Sequence, residues 1–305
     1  MGALNERIVT QQMSSSHRRT PVRAALVTMR PAEWMKNAFV LAPIAFTDKL
    51  DSFEAVAHIG AAFLAFCAVA SAGYVVNDLR DRELDRQHPK KQNRPIARGE
   101  LQPPAAVALA IALAVVGLAL AALASWAAFG ILVAYTALTT TYSAGLKNFV
   151  IIDVMAIATG FVLRVEAGVA AIHAPETSWL VMCTGMLAML LGFTKRRQEA
   201  VSELDNALRT RPVLEHYSLP FLDQMVAISA GGTIIAYALS TVNSQNIGER
   251  MLATAIPVVY AVLRYLYLIY HKGDHRSTAQ LVASDPGIIG AGVVWIVMAA
   301  ILRYA

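Results

Sequence analysis

Three observations predict an all-α integral membrane fold of about nine transmembrane helices. The 305 residues are 56% hydrophobic and only 15% charged, with a mean hydropathy of +0.50, too apolar for a water-soluble domain. Apolar runs able to cross a hydrocarbon core of ~30 Å recur near 27–47, 54–77, 104–126, 128–145, 149–172, 178–194, 220–241, 251–270 and 286–304. Lys and Arg collect in alternate connections between these runs, as they do on the cytoplasmic side of a membrane.

Residues 1–20 read as a flexible cytoplasmic tail, polar through S-S-S-H-R-R-T, with neither an apolar h-region nor a small-residue cleavage site. Residues 21–305 then form a single membrane domain, and no fixed-period repeat divides it. The first run opens with R-P-A-E-W-M-K-N, which puts Arg30, Trp34, Lys36 and Asn37 at its entrance. Lys36 there is either a phosphate contact or an interfacial anchor. Six basic residues precede or include Lys36, seven lie in 80–101, Lys147 stands alone, five lie in 195–211 and two in 272–276. If every run crosses, all of these share one side, and only Lys49, Arg250 and Arg303 lie opposite. The expectation is a multi-pass protein of the cell (inner, plasma) membrane with a cytoplasmic N-terminus and active site.

The net charge of +5 does not imply nucleic acid, because the basic residues sit in short loops beside membrane spans. Membrane lipid head groups and phosphorylated substrates suit them better. Cys67 and Cys183 lie inside apolar runs and read as small core residues.

Chemistry concentrates after the second run, at N-D-L-R-D-R-E-L-D, Asn77 to Asp85. In a continuous helix Asp78, Asp81 and Asp85 fall within roughly 60° of one another. Carboxylates this close repel unless a cation separates them, and Mg²⁺ commonly joins protein carboxylates to the oxygens of a diphosphate. The basic stretch that follows brings Lys90, Lys91, Arg94 and Arg98 within reach of such an anion. Pro95 rigidifies the backbone beside Arg94.

Together with Y-S-A-G-L-K (Tyr142–Lys147), the order N-D-x-x-D-x-x-x-D, then N-R-P-I-A-R-G, resembles the UbiA-type superfamily of intramembrane prenyltransferases along most of the chain. That resemblance implies a ring of nine helices around a central cavity, with a cytoplasmic cap over a magnesium-diphosphate site. It makes Asn77, Asp78, Asp81 and Asp85 the metal-diphosphate motif, with Arg94 and Lys147 as anion contacts. Aromatic prenyltransferases of that superfamily carry a second aspartate-rich motif after the sixth span, where this chain reads G-F-T-K-R-R-Q-E-A, Gly192 to Ala200. Lys195 and Arg196 in place of carboxylates, with Glu199 nearby, favour binding of additional phosphate over a second metal array.

The opening R-P-A-E-W-M-K-N, the aspartate segment and K-R-R-Q-E together resemble the decaprenyl-phosphate phosphoribosyltransferase branch. That branch moves phosphoribose from phosphoribosyl pyrophosphate (PRPP) to a polyprenyl phosphate, at the start of the route to decaprenyl-phosphoryl-arabinose, an arabinogalactan precursor. The resemblance implies Mg²⁺ as cofactor. Among ionisable groups of the fifth run, Asp153 is expected to touch metal or ribose, and Arg164 to pair with Glu166 or a carbonyl. Tyr74 and Tyr142 are placed either to donate to the diphosphate or to pack the cavity.

Two other functions stay open at this stage. One is prenyl transfer from a polyprenyl diphosphate to an aromatic acceptor, against which the missing second aspartate motif speaks. The other is a transporter or lipid-binding protein, against which the interfacial position of the aspartates speaks. A homo-oligomer is compatible with the sequence, which sets neither the oligomeric state nor the lipid length.

Overall fold

The computed structural model describes residues 19–45, 47, 49–89, 91–175, 178–206, 212–242, 248–271, 281 and 284–304. Most of the predicted tail, and Lys90 with it, lie outside these residues. All regular structure among the described residues is helical. Six helices are long and apolar enough to cross a membrane, which makes this a multi-pass membrane protein. They match the second, third, fifth, sixth, seventh and eighth predicted runs. The fourth run is a helix of 19 residues, and the ninth is a shorter apolar helix, Pro286–Leu302 by hydropathy.

The first run departs from expectation, because it is not one helix. Helix α1 (Pro21–Met29) ends at Arg30, which adopts a left-handed conformation with φ 54° and ψ 62°. A 3₁₀ segment, Pro31–Leu41, and a short α2 (Ala42–Ala45) follow. Proline disfavours the α conformation in the residue before it, and Pro31 and Pro43 donate no backbone hydrogen bond. Both facts interrupt the helical ladder where hydropathy alone sees a continuous span.

The remaining helices are α3 (Phe53–Arg80), α4 (Arg82–Gln87), α5 (Pro103–Ala124), α6 (Trp126–Ala144), α7 (Ile152–Ala171), α8 (Ser178–Asn206), α9 (Leu219–Val242), α10 (Ala255–His271) and α11 (Pro286–Tyr304). Ser52 caps α3 by accepting from Ala55 N–H, and Pro103 and Pro104 start α5, where a missing N–H is harmless. The chain divides into two compact units. One comprises the described residues up to Thr136 with Ala167–Ala174, the other Ala137–Glu166 with Pro175 onward.

In the first unit α3 packs on α5 through small residues. Ala62, Ala65, Ala68 and Ala72 are buried, and a Cβ on Gly117 would stand 2.7 Å from Val69 Cγ2 and 3.0 Å from Ala65 O. Small side chains let helix backbones approach closely, the main source of packing energy where lipid removes the hydrophobic drive. The outward side of α5 carries Val107, Ile111, Val115, Val116 and Leu123, all exposed, a surface that only lipid makes favourable. The core of the second unit includes Val154, Leu190, Phe193, Leu222, Val226, Tyr265 and Leu268. Gly192 admits Val154 there, since a Cβ would meet Val154 Cγ1 at 2.6 Å.

The tightest approach in the first unit predicts a mutational effect. A Cβ on Gly168 would lie 2.0 Å from the carbonyl oxygen of Val40, so Gly168→Ala must displace backbone and should cost about 1–3 kcal/mol. Gly60, inside α3 with open space around it, is the control, and Gly60→Ala should be neutral or stabilising. Thermal midpoints in detergent check both, and equal midpoints for the two variants would refute the close packing.

Candidate functional site

Two clusters of buried charge stand out, one in each unit. In the first unit α3 ends at Arg80 and α4 begins at Arg82, with Asp81 between them at φ −90° and ψ 4°. The expected continuous helix therefore breaks within the motif. Asp81 is exposed, whereas Asp78 and Asp85 are each only 2% exposed. Two of the three aspartates converge, and the third sits at the break.

What they converge on is Arg94. Its Nη1 lies 2.6 Å from Asp85 Oδ2 and 3.1 Å from Asp78 Oδ1. Arg30 Nη2 approaches the same Asp78 oxygen at 2.5 Å. The turn carrying Arg94 is built for that position. Arg98 N–H returns to Arg94 O, Glu100 N–H to Pro95 O, and Gly99 takes a φ of +73° that other residues rarely adopt. Ile96, Ala97 and Leu101 are buried. Arg86 donates to Ala97 O, and the buried Glu100 carboxylate lies within ion-pair distance of Arg19 and Arg98. The N-R-P-I-A-R-G sequence thus encodes a rigid turn whose product is one guanidinium between two carboxylates.

In the second unit the cluster centres on Arg196, 1% exposed, and Asp153, 0% exposed. Arg196 donates from Nε to Asp153 Oδ2 at 2.5 Å, from Nη1 to Glu199 Oε2 at 2.5 Å, and from Nη2 to Tyr142 Oη at 3.4 Å. Tyr217, a residue that sequence reasoning did not single out, donates its hydroxyl to Asp153 Oδ1 at 2.7 Å and accepts from Ile151 N–H at 2.6 Å. Burial and the Asp153 carboxylate push the Tyr217 phenol far above its usual range, so it stays a donor at any physiological pH. The signal available in sequence was only a tyrosine just before a membrane helix, which periodicity cannot tell from an interfacial aromatic.

The other predicted residues fall as follows. Asn77 is half-buried, and its carbonyl accepts from Asp81 N–H. Lys36 is exposed and pairs with Glu33. Lys91 is exposed on a short 3₁₀ turn, Lys147 on another, and Lys195 on α8. Arg164 donates to Gly160 O at 2.8 Å, one of the two partners expected of it. Arg196, expected to meet substrate phosphate, is itself buried and pairs with the buried Asp153 and the partly exposed Glu199.

The first cluster also fits a divalent cation. Mg²⁺ takes oxygen ligands and one or two carboxylates, and two buried carboxylates that meet at one cationic nitrogen can equally meet at one cation. Among the described residues no group of three or more His, Cys, Asp or Glu is close enough to hold a metal by itself. Phosphate oxygens and water would have to complete the coordination.

Comparison with known proteins identifies the family. Residues 38–284 match the UbiA prenyltransferase family. The decaprenyl-phosphate phosphoribosyltransferase of Corynebacterium glutamicum is 30% identical over 276 residues, covering 88% of this chain and 83% of that protein. The protein of the same name from Mycolicibacterium smegmatis is 34% identical over 264 residues, covering 80% and 81%. Among solved structures, a UbiA homolog from Archaeoglobus fulgidus bound to GPP and Mg²⁺ shares the fold with a TM-score of 0.69 at 18% identity. That match covers 92% of this chain and all of the homolog. The chain belongs to the UbiA prenyltransferase family.

Ile151, held by Tyr217, has a φ of 69°, a left-handed conformation that costs a β-branched residue about 1–3 kcal/mol. Tyr217→Phe should therefore lower stability by about 1–3 kcal/mol, by leaving Asp153 and the Ile151 N–H unpaired. Adding Ile151→Gly should recover part of that loss, because glycine adopts the same backbone without strain. Thermal midpoints of the single and double variants measure it, and a double variant worse than the sum of the two would contradict the strain.

Proposed function

We propose that this protein is a magnesium-dependent polyprenyl-phosphate phosphoribosyltransferase. It moves 5-phosphoribose from PRPP to the phosphate of a long polyprenyl lipid of the decaprenyl type and releases diphosphate. The observation that carries this reading is the unlike character of the two charged clusters. One offers buried carboxylates gathered at a single point, suited to one metal-diphosphate group. The other, on α8, is an arginine–carboxylate network whose guanidinium is buried and held by its own bonds, unlike the partly exposed Arg30 and Arg94. It lies beside the exposed Lys195, and its carboxylates are not free to hold a second metal. Sequence similarity over at least four fifths of the chain to proteins named for this reaction supports it.

Asp78 and Asp85 would hold Mg²⁺, with Asn77 and Asp81 beside them. Bound there, the cation would stabilise negative charge on the departing diphosphate. Arg94 is placed to follow that charge as it forms, because its guanidinium is partly open to solvent while the carboxylates beneath it are not. The acceptor phosphate is already anionic near neutral pH and needs no strong general base. One of its oxygens forms a bond to C1 of the ribose as the bond from C1 to the diphosphate oxygen breaks, with inversion at C1.

The exposed Lys36, Lys91, Lys147 and Lys195 are the candidate contacts for the ribose 5-phosphate and the lipid phosphate, with Lys90 in the same stretch. Asp153, Arg196, Glu199 and Tyr142 shape the second binding surface through their mutual bonds. Residues 21–305 act in this reading as one transferase domain of the plasma membrane. The site opens to the cytoplasm, the side on which the basic connections collect. The apolar lipid tail stays in the bilayer, so a membrane-embedded catalyst meets its acceptor in place.

Purified protein incubated with Mg²⁺, polyprenyl phosphate and radiolabelled PRPP should yield labelled lipid, whereas a labelled polyprenyl diphosphate with an aromatic acceptor should not. The reverse result would return the protein to aromatic prenyl transfer, and substrate flux into vesicles without product would make it a transporter. Asp78→Asn and Asp85→Asn should each lower turnover by on the order of 10²–10³-fold, corresponding to several kcal/mol of lost charge stabilisation. Chelation with EDTA should silence the wild type reversibly. Full activity in either variant, or in EDTA, would remove the metal from this cluster.

A further inference from the structure

Arg30 lies far outside the aspartate motif in sequence, yet among the described residues it makes the shortest ion-pair contact to it. Its Nη2 lies 2.5 Å from Asp78 Oδ1, and its guanidinium carbon sits 4.8 Å from the centroid of the Tyr74 ring. The backbone is fixed as firmly as the side chain. Arg30 is left-handed between α1 and the 3₁₀ segment. Ser71 donates to Met29 O at 2.9 Å and accepts from Trp34 Nε1 at 3.0 Å, and Asn37 reaches Cys67 at 3.4 Å. Cys67, Ser71, Tyr74 and Asp78 follow one another at intervals of three and four along α3 and so share one face. The whole turn from Met29 to Asn37 is therefore mounted on the face that ends in Asp78.

We propose that Arg30 is a second diphosphate-binding guanidinium beside Arg94, and that in the unloaded protein both arginines occupy the carboxylates that hold the metal. This rests on the metal-diphosphate site of the preceding section and gives that site a binding order. Two guanidinium groups balance two buried carboxylates. A divalent cation arriving alone must displace cations from Asp78 and Asp85 while remaining close to them, and like charges at that distance weaken its binding. A diphosphate arriving with the cation gives both arginines a new anionic partner, in the bidentate geometry that guanidinium favours. The side chains of Arg30 and Arg94 are 31% and 27% exposed, against 2% and 3% for Asp78 and Asp85, so the arginines face the open side from which such a ligand comes. Metal and diphosphate are then linked ligands, each raising the affinity of the other by the same factor. The site would not bind free metal tightly in the absence of donor.

The test measures protein-bound Mn²⁺ by equilibrium dialysis of the full-length detergent-purified protein, with and without inorganic pyrophosphate, as the excess of Mn²⁺ over the protein-free chamber. Wild type should bind Mn²⁺ weakly alone and on the order of tenfold or more tightly with pyrophosphate. Arg30→Gln should tighten Mn²⁺ binding without pyrophosphate, on the order of tenfold, while the enhancement by pyrophosphate shrinks. Arg30→Lys keeps the charge and should stay near wild type for the metal alone. Unchanged or weaker Mn²⁺ binding in Arg30→Gln overturns the inference. Failure of wild type to bind Mn²⁺ even with saturating pyrophosphate overturns the metal site itself. If Arg30→Gln does not fold, Arg94→Gln reads the same displacement, since Arg94 bridges both carboxylates, and its outcomes count the same way.

Discussion

Compensation of buried negative charge is the constraint around which this structure is arranged. Asp78, Asp85, Asp153 and Asp285 are each 5% exposed or less, in a chain whose membrane-spanning helices are predominantly apolar. A lone carboxylate in such surroundings is costly enough that it protonates or finds a partner. Each of the four has a guanidinium within 3.2 Å: Arg30 and Arg94, Arg94, Arg196, and Arg264. The lysines Lys36, Lys91, Lys147 and Lys195 are all exposed instead. Arginine suits the buried role because one planar fork can serve two carboxylates at once, as Arg94 and Arg196 both do.

Such pairs are poor evidence for stability, since desolvation offsets most of the attraction, but removing one partner from a pair is strongly destabilising. Their presence at the end of α3 and within α8 is better explained by what they prepare. A carboxylate already desolvated and aimed at a cation does not have to shed water when a metal arrives. A guanidinium parked on that carboxylate keeps the charge balanced until it does. The two clusters differ in how open they are. Arg94 and Arg30 are partly exposed, while Arg196 is enclosed by Asp153, Glu199 and Tyr142. The first arrangement can exchange partners, and the second is fixed by its own bonds and by the Tyr217 hydroxyl.

The scaffold that holds these charges relies on close backbone approach rather than on large side chains. Alanines line the buried face of α3, and Gly117, Gly168, Gly192 and Gly232 each sit where a Cβ would be 2.8 Å or less from another residue. In a bilayer, where lipid is as apolar as leucine, this packing supplies the specificity that hydrophobic burial gives to soluble proteins. The Val40 carbonyl against Gly168 ties the irregular segment after Arg30 to α7. The interrupted first span is thereby held as part of the packed structure.

The sequence by itself determined the membrane class, the approximate position of most spans, the aspartate motif and its Arg94 sequel. Those features are local, since span length, hydropathy and the i, i+3, i+7 spacing are properties of contiguous residues. Pro95 likewise announced a stiffened backbone beside Arg94. Tertiary structure decided which charges pair. Arg30 meets Asp78 across 48 residues, Arg196 meets Asp153 across 43, and Tyr217 meets Asp153 across 64, and no periodicity encodes such meetings. The first span breaks at Arg30 because Pro31 follows it, a local effect that hydropathy does not weigh, and the motif breaks at Asp81, which separates that residue from Asp78 and Asp85. Helical spacing assigns a residue to a face, but the partner on that face is chosen by packing between distant segments, and that is where the electrostatics of this site was set.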